Sequence, residues 1–259
     1  MKLSTLIVAI ALLELAWAAT AKKEYILRFD DVQDTYLSQE QQDVIQWCMD
    51  NDMAISLGVI AGFFGSDTKL VNKVRDCLAQ GRDKCEVWNH GMDATTRFGD
   101  GMPVDQIQTI LEDSDQIIFD TLGYKASTMV PHQNSWSPNV LQALRNMNYD
   151  MISAGINVGM QFDTTLDPLQ MPHQTMTADW GFGRWPKIPP SAILAACQAA
   201  YAAGDAACVI MSHPHEFGLG TVSLNDLTEL IGLLDADGWS STTFHSIASD
   251  YLVNEKRID

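Results

Sequence analysis

The sequence is poor in basic residues and in long apolar runs. Its 259 residues include 16 lysines and arginines against 33 aspartates and glutamates, a formal net charge of −17. Because such a surface repels phosphate backbones and anionic lipid, we exclude nucleic acids and membrane surfaces as partners. We expect no transmembrane segment, since the N-terminal apolar run is too short to span a bilayer comfortably and no second apolar stretch follows. There is no Asn-x-Ser/Thr acceptor, so N-glycosylation is not expected.

The N-terminal segment has the features of a secretory signal peptide. Lys2 supplies a positive start, residues 6–15 are almost wholly apolar, and the Ala-Trp-Ala sequence at 16–18 has the small-x-small form of a cleavage site. A buried N-terminal helix is the alternative interpretation. We therefore expect a signal peptide over residues 1–18, secretion, and a single extracellular domain over residues 19–259.

Cysteine is also scarce, with five in the chain. Cys77 and Cys85 bracket one predicted helix-to-strand turn, and Cys197 and Cys208 bracket another. In a secreted protein this spacing predicts two short-loop disulfides, with Cys48 left as a buried free thiol. Five buried thiols are the alternative, because spacing alone does not prove connectivity.

Strand-like apolar runs alternate with helix-like stretches along most of the chain. The predicted strands cover residues 25–29, 55–60, 85–89, 127–130, 150–154 and 207–211, and the predicted helices cover residues 40–51, 69–80, 104–122, 138–146, 193–203 and 224–235. This alternation indicates an α/β domain with a largely parallel sheet, closed as a barrel or left open. Residues 155–190 are rich in Gly, Pro and Met and predict long irregular loops.

Polar side chains collect at the ends of the predicted strands, where parallel strands meet at one face and active sites are built. These residues are Asp30, Asp31, His90, His132 and His213. Two adjacent carboxylates repel each other, so we interpret the aspartate pair as one metal ligand and one proton acceptor. A pair that caps the next helix is the alternative. Histidines at strand ends suit a metal ligand and a proton donor.

Four segments together resemble the motifs of the polysaccharide deacetylases, the NodB-homology group of carbohydrate esterase family 4. They are Phe29-Asp30-Asp31, Asn89-His90-Gly91, Val130-Pro131 and Ser212-His213, and their order and spacing cover roughly residues 24–252. The resemblance implies a distorted (β/α) barrel of about seven strands. It also implies metal-dependent removal of acetyl groups from the N-acetylglucosamine-type units of chitin, chitooligosaccharide or peptidoglycan.

The same resemblance implies roles for individual residues. Asp30 is expected to be the catalytic base, and His213 to protonate the departing amine. Asp31 and His90 are expected to bind a divalent ion, zinc above all, with manganese or cobalt as other possibilities. The residues expected along the substrate groove are Pro131, His132, Asn134 and Trp180, the last because sugar rings stack on aromatic side chains.

One departure from the family pattern concerns the third metal ligand. The family's second histidine, four residues after the first, is replaced here by Ala94, which cannot bind a metal. We predict that Asp93, three residues after His90 and on the same face of a helical turn, takes its place. Water or His132 is the alternative. Because of Ala94, a second possible function is that of a metal-poor family member that binds carbohydrate without catalysis. A third is that of a glycosidase that uses Glu216 as its second acid.

Overall fold

The protein is described by a computed structural model over residues 22–99, 101–154, 168–179 and 185–255. The predicted signal peptide and Trp180 lie outside these residues. No helix within the described residues is long and apolar enough to cross a membrane.

Strands and helices alternate, as the sequence predicts. The strands are β1 (Glu24–Val32), β2 (Ile55–Val59), β3 (Cys85–Asn89), β4 (Thr128–Met129), β5 (Met151–Ile152), β6 (Leu169–Gln170), β7 (Thr175–Met176), β8 (Cys208–Ser212) and β9 (Ser240–Thr242). The helices are α1 (Ser38–Asp50), α2 (Thr68–Leu78), α3 (Val104–Leu122), α4 (Pro138–Asn146), α5 (Pro190–Ala203), α6 (Pro214–Gly218), α7 (Leu224–Ala236) and α8 (Phe244–Glu255). Two short 3₁₀ turns cover Ala61–Phe63 and His132–Asn134.

The strands form one parallel sheet. Within the described ranges its order is β6-β5-β4-β3-β2-β1-β8-β7, and β9 pairs with the first residues of β1. The sheet curls as a half-barrel with helices between its strands, which confirms the α/β barrel class predicted from the sequence. Among the described residues it has nine strands: the six that the sequence predicted, β6 and β7 in the region predicted as irregular loops, and the short β9.

The central strands are buried along their whole length. Every residue of β2, β3 and β8 is buried, as expected for central strands of a curled parallel sheet with helices outside and packed side chains inside. Helix α2 shows why the flanking helices form: its Leu70, Val71 and Val74 recur at helical spacing and all face the core.

Two disulfides tie helices to neighbouring strands. Cys77 at the end of α2 bonds Cys85 at the start of β3, and Cys197 in α5 bonds Cys208 at the start of β8. Cys48 is a buried free thiol. All three predictions about cysteine are confirmed.

Gly58 on β2 lets a large aromatic side chain support the site. A Cβ atom at this position would lie 1.9 Å from the ring of Trp88 on β3. Trp88 is fully buried, and its ring meets that of His90 edge to face at a centroid distance of 5.1 Å. The absent side chain of Gly58 therefore gives Trp88 the space in which it fixes the position of His90.

Candidate metal centre and catalytic site

The end of β1 is bent so that two successive carboxylates reach the same cavity. Neighbouring residues of a regular strand point to opposite faces. Here the register of β1 against β2 shifts between Phe29 and Val32, and Asp31 has a left-handed backbone with φ 59°. This bulge brings both Asp30 and Asp31 into the lining of one cavity. Such a backbone costs on the order of 1–3 kcal/mol, a strain typical of functional sites.

Three donor atoms converge beside this bulge. Asp31 Oδ1 lies 3.2 Å from His90 Nε2 and 3.7 Å from His132 Nδ1, and the two histidine nitrogens are 3.3 Å apart. His90 Nδ1 lies 2.7 Å from the carbonyl oxygen of Val130 and donates to it, which leaves the Nε2 lone pair free to face the cluster. Asp31, His90 and His132 form one of two groups in the described residues with the spacing of a metal site.

The donors fit a divalent transition metal. Ligand bonds of about 2.0–2.2 Å place neighbouring donors about 2.8–3.6 Å apart, close to the three distances above. Burial, reinforced by the nearby His90, lowers the pKa of His132, so its ring is neutral and able to ligate. One oxygen and two nitrogens suit zinc, manganese and cobalt alike.

Asp93, predicted as the third ligand, does not join this cluster. The chain is not helical after His90, since α3 begins only at Val104, so the spacing of a helical turn does not apply. The Asp93 carboxylate instead accepts hydrogen bonds from the backbone and hydroxyl groups of Thr95 and Thr96 at 2.7–2.9 Å. Burial would raise its pKa, but these bonds lower it to about 2. His132, which the sequence offered as an alternative, lies beside Asp31 and His90 instead.

Asp30 is held by an arginine from its own strand. Arg28 Nε and Nη2 donate to the two carboxylate oxygens of Asp30 at 2.8 and 2.6 Å, a bidentate pair. The guanidinium also donates to Ser153 Oγ at 3.2 Å and to Asn134 Oδ1 at 3.0 Å. Burial would raise the pKa of Asp30, but the charge and hydrogen bonds of Arg28 lower it. Asp30 is therefore ionised and fixed in orientation.

His213, at the end of β8, is held in a similar way. Its Nδ1 lies 2.9 Å from Oε1 of Glu216, and its Nε2 lies 3.9 Å from Oδ2 of Asp30. Glu216 is fully buried and also accepts hydrogen bonds from Thr177 and Ser212. Burial would lower the pKa of His213, but the hydrogen bond of Glu216 and the charge of Asp30 raise it overall. His213 is thus suited to carry a proton.

These groups share one cavity of about 320 Å³. Its lining consists of Asp30, Asp31, His90, His132, Gln133, Asn134, His173, Met176, Trp185, Met211, His213 and His215. Of the residues predicted for the substrate groove, His132 and Asn134 line the cavity. Pro131 is buried and does not line it. Trp180 is outside the described residues.

The sequence did not indicate several of the lining and supporting residues. His173 and Trp185 both lie in the region predicted as long irregular loops, where no strand end or motif marks them. Arg28 carried a signal, because residues two apart in a strand share a face and Arg28 stands two before Asp30. Glu216 carried a different signal, because it stands three residues after His213, the spacing of neighbours on one face of a helical turn.

No protein-family model and no curated protein matches the sequence. Among solved structures, a protein assigned to the polysaccharide deacetylases from Mycobacterium smegmatis is similar, with TM-score 0.69, 15% identity and coverage of 91% of this chain and 92% of that one. A family 4 acetyl xylan esterase from Clostridium thermocellum, solved with a cobalt ion, has TM-score 0.57 and 18% identity, covering 88% and 91%. A carbohydrate esterase family 4 pseudoenzyme from Bacillus anthracis has TM-score 0.57 and 12% identity, covering 88% and 66%.

The chain therefore has the fold of the carbohydrate esterase family 4 proteins, as the sequence resemblance implied. At these identities the likeness concerns the fold alone. The same fold carries an esterase, a protein assigned as a deacetylase and a pseudoenzyme. Function must therefore be argued from the residues of this chain's own site.

Proposed function

We propose that the protein is a metal-dependent hydrolase that removes acetyl groups from N-acetylglucosamine-type carbohydrate. The observation that carries the proposal is the convergence of Asp31, His90 and His132 on one point of a cavity that Asp30 and His213 also line. A cation site, a fixed carboxylate and a fixed imidazole are the groups that metal-assisted hydrolysis of an amide requires.

Each group has a separate task. A divalent ion held by Asp31, His90 and His132 would supply Lewis-acid polarisation of the acetyl carbonyl. Asp30 takes the proton of the attacking water on Oδ2, the oxygen nearest His213. His213 then donates its Nε2 proton to the departing nitrogen, while Glu216 holds Nδ1 and keeps the ring in the orientation for transfer.

The proton donor favours an amide over an ester substrate. An amine leaves readily only after its nitrogen is protonated, whereas the oxygen of an ester leaves with less help. The hydrogen bond of Glu216 and the charge of Asp30, which raise the pKa of His213 against the effect of burial, favour the protonated ring that this step needs. We therefore choose N-acetylated sugars as the substrate class, with O-acetylated xylan as the competing class.

Secretion is part of the same proposal. The signal-like segment at residues 1–18 motivates it, and the two disulfides support an oxidising compartment. Mass spectrometry of the mature protein is expected to find a start within residues 19–22. Intact Met1 in protein from the medium would contradict the cleavage.

The experiment is an acetate-release assay on the oxidised protein. N-acetylglucosamine oligosaccharides, peptidoglycan and acetylated xylan are compared with and without chelator, and activity is then restored with zinc, manganese or cobalt. We expect release from the N-acetylated substrates and its loss on chelation. Release from acetylated xylan alone would assign the protein to esterases. A protein that binds no divalent ion at millimolar concentration would be a carbohydrate-binding module without this catalysis.

A further inference from the structure

Asn89, the residue before His90, is a fully buried amide at the end of β3. Its Oδ1 accepts a hydrogen bond from the backbone N–H of Gly91 at 2.8 Å, which closes a side-chain turn around His90. Gly91 has φ 86°, a left-handed conformation that glycine adopts without strain. The direction in which His90 leaves the strand therefore depends on which atom of the Asn89 amide faces Gly91.

The other end of this amide contacts α3 and the segment after α4. Asn89 Nδ2 donates to Asp115 Oδ1 at 2.9 Å, and it lies 3.2 Å from the hydroxyl oxygens of both Ser114 and Tyr149. Tyr149 donates its hydroxyl proton to the same Asp115 oxygen at 2.7 Å. Burial, reinforced by the charge of Asp115, raises the pKa of Tyr149 well above its usual range, so this hydroxyl remains a donor.

The Asp115 oxygen decides how the amide is oriented. If the amide were turned over, its oxygen would face the Asp115 carboxylate and its NH₂ group would face the N–H of Gly91. Two acceptors and two donors would then oppose each other in a buried position, which is costly. Asp115 therefore favours the orientation that closes the turn around His90. Neither Asp115 nor Tyr149 lines the cavity, and the mechanism above uses neither.

We propose that Asp115 and Tyr149 are positioning residues for the metal centre, which act through the Asn89 amide on the orientation of His90. The inference rests on the proposed function, because it takes His90 as a metal ligand. A ligand that is already held in place loses less conformational freedom when the ion binds, so the metal binds more tightly. Loosening this network should therefore weaken metal binding although no donor atom is removed.

The first variants remove or keep the acceptor at residue 115. Asp115→Leu replaces the carboxylate with an apolar side chain of similar size, whereas Asp115→Asn keeps an oxygen that can accept both hydrogen bonds. Calorimetry measures the Kd of zinc on the metal-free, disulfide-bonded protein. We expect Asp115→Leu to raise the zinc Kd about ten-fold and Asp115→Asn to stay within about three-fold of the wild type. Tyr149→Phe, which removes one donor to the Asp115 oxygen, should lie between them.

A reciprocal exchange tests the amide itself. Asn89→Asp still accepts from Gly91, but it sets a second carboxylate against Asp115 with no donor between them, so the zinc Kd should rise at least about ten-fold. Adding Asp115→Asn supplies an amide donor to the new carboxylate. The double variant should therefore bind zinc within about three-fold of the wild type, a recovery that independent sites would not show.

Ser56→Ala is the matched control for a loss of stability. Ser56 donates to the buried Glu86 near the start of β3, away from the cavity, where Glu86 also accepts from the backbone of Phe244. This variant should lower the melting temperature and leave the zinc Kd within about two-fold of the wild type. In acetate assays with excess zinc, Asp115→Leu should keep its kcat and need more zinc for half-maximal activity, because its donor atoms are intact.

The positioning role is overturned if Asp115→Leu and Asn89→Asp bind zinc as tightly as the wild type. A double variant no better than Asn89→Asp, or an equal loss of zinc affinity in Ser56→Ala, would also overturn it. Acetate release by the wild type with normal zinc binding in these variants removes the positioning role and leaves the deacetylase. Zinc affinity that follows the network without any acetate release supports the positioning role and removes the deacetylase. A wild-type protein that binds no zinc overturns both.

Discussion

The two halves of the cavity differ in whether their buried ionisable groups are paired with protein groups of opposite charge. On the side of β1, β3 and β4, Asp31, His90 and His132 face one another across 3.2–3.7 Å, with no described basic side chain between them. The other half contains Asp30, from β1, and His213, at the end of β8, and each of these two has a protein partner: Arg28 holds Asp30, and Glu216 holds His213.

This difference separates the two functions of the site. Three acceptors that face one another are stabilised by a cation, so the first half is suited to bind metal. Groups that carry their own counter-charge keep a defined protonation state and orientation, so the second half is suited to move protons. Substitutions in one half should therefore change metal affinity, and substitutions in the other should change turnover.

The largest effect is expected for His90→Ala. It removes a buried donor whose Nε2 lies between the other two, so metal affinity should fall by at least about 100-fold and acetate release should reach background. Metal titration by calorimetry and an acetate assay measure the two effects. Glu216→Gln is the matched control, because it alters the other half and should retain its metal. If His90→Ala keeps the metal content of the wild type, the cation site does not lie in this half of the cavity.

Glu216→Gln should lower kcat by about 10²-fold, within the range for general acid catalysis. The Glu216 carboxylate raises the pKa of His213, so the neutral amide should lower it. The proton donor must be protonated, so activity should be lost at a lower pH on the alkaline side of the profile. A pH profile of kcat measures the shift. An alkaline limb that stays in place would show that His213 is not the proton donor.

Arg28→Lys should lower kcat by about ten-fold while metal affinity stays within about two-fold of the wild type. Lysine keeps the positive charge but loses the planar pair of donors that orients both oxygens of Asp30. Kinetics and metal titration on the same preparation separate the two effects, and thermal unfolding checks the fold. A loss of metal in proportion to kcat would show that the two halves are not independent.

The smallest effect is expected for Ala94→His. This change restores the histidine spacing of the family, and the sequence alone would suggest tighter metal binding. In the structure residue 94 follows His90 in a non-helical turn and does not line the cavity, while His132 supplies the third donor. We expect metal affinity to change by less than about two-fold. A clear tightening would show that residue 94 reaches the cluster.

Local patterns in the sequence predicted most of the fold and several residues of the site. Strand-end placement predicted that Asp30, Asp31, His90, His132 and His213 lie together, because the carboxyl ends of parallel strands meet at one face, and all five line the cavity. The two disulfides followed from spacing at helix-to-strand turns. These predictions succeed because each depends on a short stretch of chain, and the residues of that stretch determine its conformation.

The rest depends on tertiary structure. The choice of Asp93 assumed that the chain turns into a helix after His90, whereas its carboxylate caps a turn through Thr95 and Thr96. His132 begins the turn after β4, which continues through Gln133 and Asn134 in left-handed conformations. No periodicity in the sequence indicates such a turn.

The most direct test of the account compares His132→Ala with Asp93→Ala in one metal titration. The account predicts that His132→Ala weakens binding of zinc by at least about ten-fold, because it removes one of three donors. Asp93→Ala, which removes only the cap of a neighbouring turn, should leave zinc affinity within about two-fold of the wild type. The opposite result, with affinity lost in Asp93→Ala and kept in His132→Ala, would contradict the metal centre described here.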